Sequence, residues 1–234
     1  MKGANYIPID NFPSRISDSR YKDVIKSAAD ANMNMLRVWG GGIYENDIFY
    51  DLCDANGILI WQDFMFACSM YPGDKAFLDN VKRESIDNVK RLRNHPCIAL
   101  WCGNNEINTA WNGWGWKPQF EKESPQIAQK LWHDYDTLFN VILKDVVKDY
   151  TFDKQRFYWP SSPMASFDEK AGNLNSGDIH YWDVWHFGKP FKEYLNNVGR
   201  FMSEYGFQSF PELQTIEQYT PPIVTGKQIG RAHV

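Results

Sequence analysis

Two glutamates stand where apolar segments stop. Residues 99–107 read "ALWCGNNEI", a run of Ala99, Leu100, Trp101 and Cys102 that ends in glycine, two asparagines and Glu106. Residues 200–207 read "RFMSEYGF" and set Glu204 near the end of a second apolar run. A carboxyl group at the mouth of a dry core has its proton affinity set by its surroundings. Two such groups facing one bond divide the work: one protonates a leaving oxygen while the other acts on the carbon it leaves. That is the requirement of glycoside hydrolysis. Either glutamate taken alone reads equally as a helix cap or an ion-pair partner.

The elements between them decide whether they meet. Strand signals in "KGANYIP", "MNMLRVW", "ILIWQD", "CIALWCGNNE", "RFYWPSS", "GDIHYW" and "RFMSEYG" alternate with helix signals, which implies a parallel sheet. From Gly3 to Leu100 is 97 residues and from Glu106 to Glu204 is 98. A (β/α)8 barrel spends about 31 residues per unit, so each interval holds three units. The sequence predicts an α/β fold, a (β/α)8 TIM barrel with strands one to seven present and the eighth missing. Residues 1–220 form one incomplete catalytic domain. Glu106 then closes strand four and Glu204 strand seven, nearly across the barrel, at the end where such barrels carry their sites. A dinucleotide-binding sheet is excluded, because "GANYIPIDN" has no G-x-G-x-x-G turn.

The helices expected are 20–32, 46–56 closed by Gly57, 75–93, 126–149, 189–198 and one from about Pro211. Residues 107–125 are rich in Gly, Pro and Trp and predict an irregular insertion. The end, "GKQIGRAHV", has no periodicity and resembles what a sequencing adapter encodes when read in frame. Residues 221–234 are therefore expected to be a disordered or artefactual tail.

Composition narrows the partners. A net charge of -4 leaves no basic stripe for nucleic acid. Cys53, Cys68, Cys97 and Cys102 form no C-x-x-C pair and are expected as buried thiols, and the five histidines form no compact ligand set. No run of about 18 apolar residues exists to span a membrane. No signal peptide opens the chain, and "MKGANYIP" reads as the interior of a longer protein. The ten tryptophans are the one strong deviation; Trp39, Trp101, Trp111, Trp114, Trp116, Trp159, Trp182 and Trp185 are expected at strand ends or in the loops after them. There they could stack on the C–H face of a sugar, or simply fill barrel layers.

Taken together, "KGANYIP", "RVWGGGIYE", "WQDFMFAC", "CGNNE" and "SEYGFQSFPE" resemble the β-mannosidases of glycoside hydrolase family 2, over about residues 2–218. The resemblance implies a retaining exo-enzyme that removes terminal β-D-mannose from oligosaccharides and needs no metal or other cofactor. It implies Glu106 as acid/base, Glu204 as nucleophile, Asn105 on the sugar 2-hydroxyl and Arg37 positioning the nucleophile. It puts Trp39 in the mannose site, His180 and Trp182 as pocket lining, and Asp63 as a candidate sugar contact. It further implies β-sandwich domains before the barrel, which this chain lacks.

The residues alone leave other readings open. Arg37 reads also as a buried arginine paired with any carboxylate, Trp39 as core, Asp63 as a loop cap and His180 as a satisfied structural histidine. Glu45 reads as a structural partner. At the level of function, the alternatives are a family 2 β-galactosidase or β-glucuronidase, an endo-β-mannanase, or a non-catalytic carbohydrate-binding module.

Overall fold

The computed structural model describes residues 1–152, 157–165 and 173–220. The tail expected over 221–234 lies outside the described residues. The chain runs β1 (Gly3–Tyr6), α1 (Asp18–Asp30), β2 (Met35–Val38), α2 (Asp47–Asn56), β3 (Leu59–Asp63), α3 (Lys75–Leu92) and β4 (Ile98–Cys102). There follow α4 (Ile107–Gly113), α5 (Trp116–Glu123), α6 (Pro125–Tyr135), a π-helical stretch over Asp136–Ile142 and α7 (Leu143–Tyr150). The last part holds β5 (Phe157–Trp159), β6 (Ile179–Tyr181), α8 (Asp183–His186), α9 (Glu193–Asn196), β7 (Met202–Tyr205) and α10 (Leu213–Tyr219).

Helix spacing explains what each helix buries. In α1, Tyr21, Ile25 and Ala28 recur at helical spacing and are the residues buried. In α3 the same holds for Val81, Ser85, Val89 and Leu92, and the Asp74 side chain caps the first turn by accepting from Phe77 N. Gly57 ends α2 at φ +66°, a left-handed position that glycine takes without Cβ strain.

Strands β1 to β5 form one parallel sheet in sequence order, and β6 and β7 form a parallel pair. Alternation along the strands sorts side chains to two faces. Leu36, Val38, Ile60, Trp101 and Tyr158 join the large core under the helices. Trp61, Cys102, Trp159 and Met164 form a second cluster. Arg37, between Leu36 and Val38, is thereby turned away from the helices. The β6–β7 pair sets His180 opposite Glu204. Asn5 of β1 reaches β7 by donating from Nδ2 to Ser203 O at 3.0 Å.

Four expectations need correction. The insertion over 107–125 is helical, not irregular. Its glycines fall at the helix breaks, with Gly115 at φ +86°, while Trp111 stacks on Phe120 and Trp132 at 6.0 and 5.3 Å. Aromatic packing there outweighs the loop signal. The helix expected over 189–198 is reduced to the single turn of α9. Not all tryptophans line strand ends: Trp101 lies within β4, fully buried and stacked on Phe64, and Trp111 is buried in α4. Finally, Cys68 is exposed, while Cys53, Cys97 and Cys102 are buried. Among the described residues no helix is long and apolar enough to cross a membrane.

Candidate active site

The abrupt polar end of β4 has a structural cause. Beyond Cys102 the ladder continues as isolated parallel bridges from Asn105 to Ala67 and to Ser162. Neighbouring side chains there take different directions. Asn104 donates to Pro160 O and accepts from Ser161 Oγ and Ile107 N, tying the β5 exit to the start of α4. Asn105 instead presents Oδ1 to Arg37 Nη2 at 2.7 Å. Glu106 then adopts φ +63°, a conformation costly for a residue with a side chain, and its N–H is held by Ser162 O at 2.7 Å.

Arg37 organises the floor of the site. Its five N–H donors all find oxygens. Nε and Nη2 reach the two Asp63 oxygens at 3.4 and 3.0 Å. Nη2 also reaches Asn105, and Nη1 reaches Glu204 Oε1 at 2.6 Å and Asn5 Oδ1 at 3.3 Å. Burial works against the Arg37 charge, but Asp63 and then Glu204 outweigh it and raise its pKa above the ordinary arginine value. Asp63 is fully buried and also accepts from Gly40 N and Trp61 Nε1. Burial raises its pKa, opposed by Arg37 and Gly40. The sugar contact expected of Asp63 is therefore corrected: both of its oxygens are consumed beneath the site.

Glu204 accepts from Arg37 on one oxygen and from Trp182 Nε1, at 3.2 Å, on the other. Glu106 Oε1 lies 2.8 Å from His180 Nδ1, and its Oε2 faces Cys68 Sγ at 3.5 Å and Asn105 Nδ2 at 3.4 Å. Burial raises the Glu106 pKa above the usual carboxyl value. Burial also drives His180 down to about 4, so at neutral pH its contact with Glu106 is a hydrogen bond rather than an ion pair. Glu106, His180 and Glu204 each bring one ligand-type atom within 4.8 Å of the others. Although Cys68 is exposed at the surface, partial desolvation of its thiol and the neighbouring Glu106 push it up to about 11 against the hydrogen bond from Asn105, so it faces Glu106 as a neutral thiol.

The structure thus brings Glu106, Glu204, Arg37, Asn105, His180 and Trp182 together. Trp39, at the exit of β2, lies with its indole over Gly41, where an added Cβ would meet the ring at 2.0 Å. A cleft of about 1010 Å³ runs between β1 and β7 and is lined in part by Asn5, Arg37, Trp61, Trp182 and Tyr205. Three contributors escaped the sequence reading: Cys68, Ser162 and Asp178. Asp178 carried a signal, since it directly precedes the strand that holds His180.

No family model matches the chain. It is 41% identical over 225 residues to β-mannosidase B of Thermothelomyces thermophilus, covering 94% of this chain and 25% of that protein. It is also 41% identical over 230 residues to the β-mannosidase of Bos taurus, with 93% and 25% covered. Among solved structures, β-D-mannosidase from Dictyoglomus thermophilum superimposes with a TM-score of 0.80 at 46% identity, covering 93% of this chain and 25% of that one. The chain is a homologue of the family 2 β-mannosidases. It spans about a quarter of the length of the β-mannosidases it matches.

Proposed function

We propose that this chain carries both catalytic carboxylates of a retaining exo-β-mannosidase. The observation that carries the reading is the convergence of Glu106 and Glu204, one oxygen of each within 4.8 Å. Retaining glycosidases hold their carboxyls about 5–5.5 Å apart, and inverting ones leave room for a water at about 6.5–9.5 Å. The convergence falls on a chain whose β-mannosidase relatives match nearly its whole length.

In the first step Glu204 attacks the anomeric carbon, with Arg37 and Trp182 donating to its two oxygens and orienting the carboxylate. Glu106 delivers a proton to the leaving oxygen, and its burial favours the neutral acid that this step needs. In the second step Glu106 takes a proton from water, which releases mannose from Glu204. Asn105 and Trp39 supply the sugar contacts that the resemblance implies.

The strands fit as a partial (β/α)8 barrel. Such a barrel sets its eighth strand between the seventh and the first, and the cleft between β1 and β7 lies in that position. The remaining three-quarters of the relatives' length has room for the β-sandwich domains.

The test is hydrolysis by the full-length protein that contains this chain, offered aryl β-mannoside, β-galactoside and β-glucuronide. Preference for the mannoside, lost by at least about a thousandfold in Glu204→Ala, supports the reading. Preference for another glycone, or mannoside binding without hydrolysis, rejects it.

A further inference from the structure

Among the described residues the β5 exit and the β6–β7 pair share no β-ladder; the Asp178 N–H donates to Met164 O at 3.0 Å, and the buried Asp178 carboxylate ties the two segments further. Asp178 accepts from Trp159 Nε1 at 2.8 Å, Met164 N at 2.9 Å, Ser162 Oγ at 2.6 Å and Ser203 Oγ at 2.5 Å. Four donors fill the lone-pair sites of a carboxylate. Ser162 has one hydroxyl proton, and the short contact to Asp178 claims it. The Ser162 oxygen, 3.0 Å from His180 Nε2, is then left as an acceptor, so Nε2 must carry the imidazole proton.

A neutral imidazole protonated on Nε2 has a bare Nδ1. That nitrogen lies 2.8 Å from Glu106 Oε1, a contact that needs a proton from the glutamate. The other Glu106 oxygen agrees: Oε2 faces donors, Asn105 Nδ2 and Cys68 Sγ, and is the carbonyl side of the acid. We propose that Asp178, acting through Ser162, fixes the His180 tautomer so that Glu106 rests as the neutral acid with its proton on Oε1. Asp178 and Ser162 are positioning residues. The inference deepens the glycosidase reading and rests on it for its catalytic meaning. When substrate enters, the leaving oxygen replaces His180 Nδ1 as acceptor of that same proton.

The groups facing His180 are Glu106 from the β4 exit, Glu204 from β7 with Oε2 3.3 Å from Nδ1, and Asp178 through Ser162. Arg37 stands behind Glu204, and His186 and Cys68 act on Glu106. Trp182 N–H supplies the donor to Glu204 Oε2, so that oxygen does not require one from His180.

The experiment reads the imidazole directly, by 15N NMR of histidine-labelled full-length protein at pH 7, with the His180 signals assigned by their loss in His180→Gln. The wild type should show a protonated Nε2 and a bare Nδ1. In Asp178→Asn the amide NH2 faces Ser162, turns its hydroxyl toward Nε2 and should move the imidazole proton to Nδ1. That proton then favours the Glu106 carboxylate, and the basic limb of the kcat/KM profile should fall by roughly one pH unit. A wild type protonated on Nδ1, an imidazolium, or an unchanged tautomer in the variant overturns the proposal. Should Asp178→Asn fail to fold, Ser162→Ala serves: it should yield a tautomer mixture that Ser162→Thr reverts, and an unmixed spectrum overturns the relay. Failure of the β-mannosidase reading shows separately, as a wild type with the stated tautomer and no β-mannoside hydrolysis.

Discussion

Arg37 and Glu204 lie 167 residues apart in the chain and meet at 2.6 Å with both side chains nearly dry. The same guanidinium holds Asp63 and Asn105, so the nucleophile proposed on one strand is aimed by a residue two strand pairings from the acid. A buried cation serving two carboxylates is costly to lose, because each partner is left charged and unpaired.

Arg37→Lys tests the geometry rather than the charge. Lysine offers three donors on a flexible stem and cannot span Asp63, Asn105, Asn5 and Glu204 together. We expect kcat/KM on β-mannosides to fall about a hundredfold or more. Arg37→Ala should in addition lower folding stability by about 3–5 kcal/mol, read from denaturant midpoints.

Asp63→Asn separates the floor of the site from its surface. Asp63 accepts from Arg37, Gly40 N and Trp61 Nε1, and an amide offers only one acceptor oxygen. Stability should drop by about 1–3 kcal/mol. Since the carboxylate has no oxygen to spare for a sugar, kcat should fall with KM little changed. A rise in KM alone would restore Asp63 as a sugar contact.

Gly103→Ala asks why "CGNNE" opens on glycine. An added Cβ would stand 2.3 Å from Pro160 O and 2.5 Å from the Tyr158 hydroxyl. The first is backbone and cannot swing aside, so β4 and β5 must part where Asn104 and Asn105 begin. We expect a loss of about 1–3 kcal/mol and a weaker grip on Glu106. Thermal unfolding and kcat measured together check both.

Sequence spacing put Glu106 and Glu204 at corresponding places on parallel strands, because strand-to-strand intervals are fixed by the size of a βα unit; that the two strands lie in separate ladders, β1 to β5 and β6 to β7, was not legible. Arg37 entered through the family resemblance alone; its place between Leu36 and Val38, on the side opposite the helical core, was seen only in the fold. Glu45, read as structural, does accept from the Tyr6 and Tyr21 hydroxyls. What stayed hidden depends on contacts that no period encodes. Asp178, Ser162 and His180 are joined across segments that share no ladder. The helices α4 and α5 form around stacked Trp111, Phe120 and Trp132, although their glycines and prolines signal a loop. Asp63 was open between a loop cap and the sugar contact implied by the resemblance, and only its hydrogen bonds show both oxygens taken.

The His180 environment should also be visible as pH-dependent stability. Burial holds the native imidazole at about 4, whereas an unfolded histidine titrates near 6.5. Between those values the unfolded chain binds a proton that the native state refuses, so stability falls as pH drops through this window. The loss saturates below about pH 4, at on the order of 3 kcal/mol. Glu106 contributes with the opposite sign. Its raised native pKa means that the folded state holds the proton more tightly, so its cost appears as pH rises from the ordinary glutamate value through the raised one. Asp63, also raised by burial, acts with the sign of Glu106, so the His180 contribution is read by difference: from pH 4 to 7 the urea midpoint of the full-length wild type should rise relative to that of His180→Gln. A difference that stays constant with pH would mean that His180 titrates alike in the folded and unfolded chain.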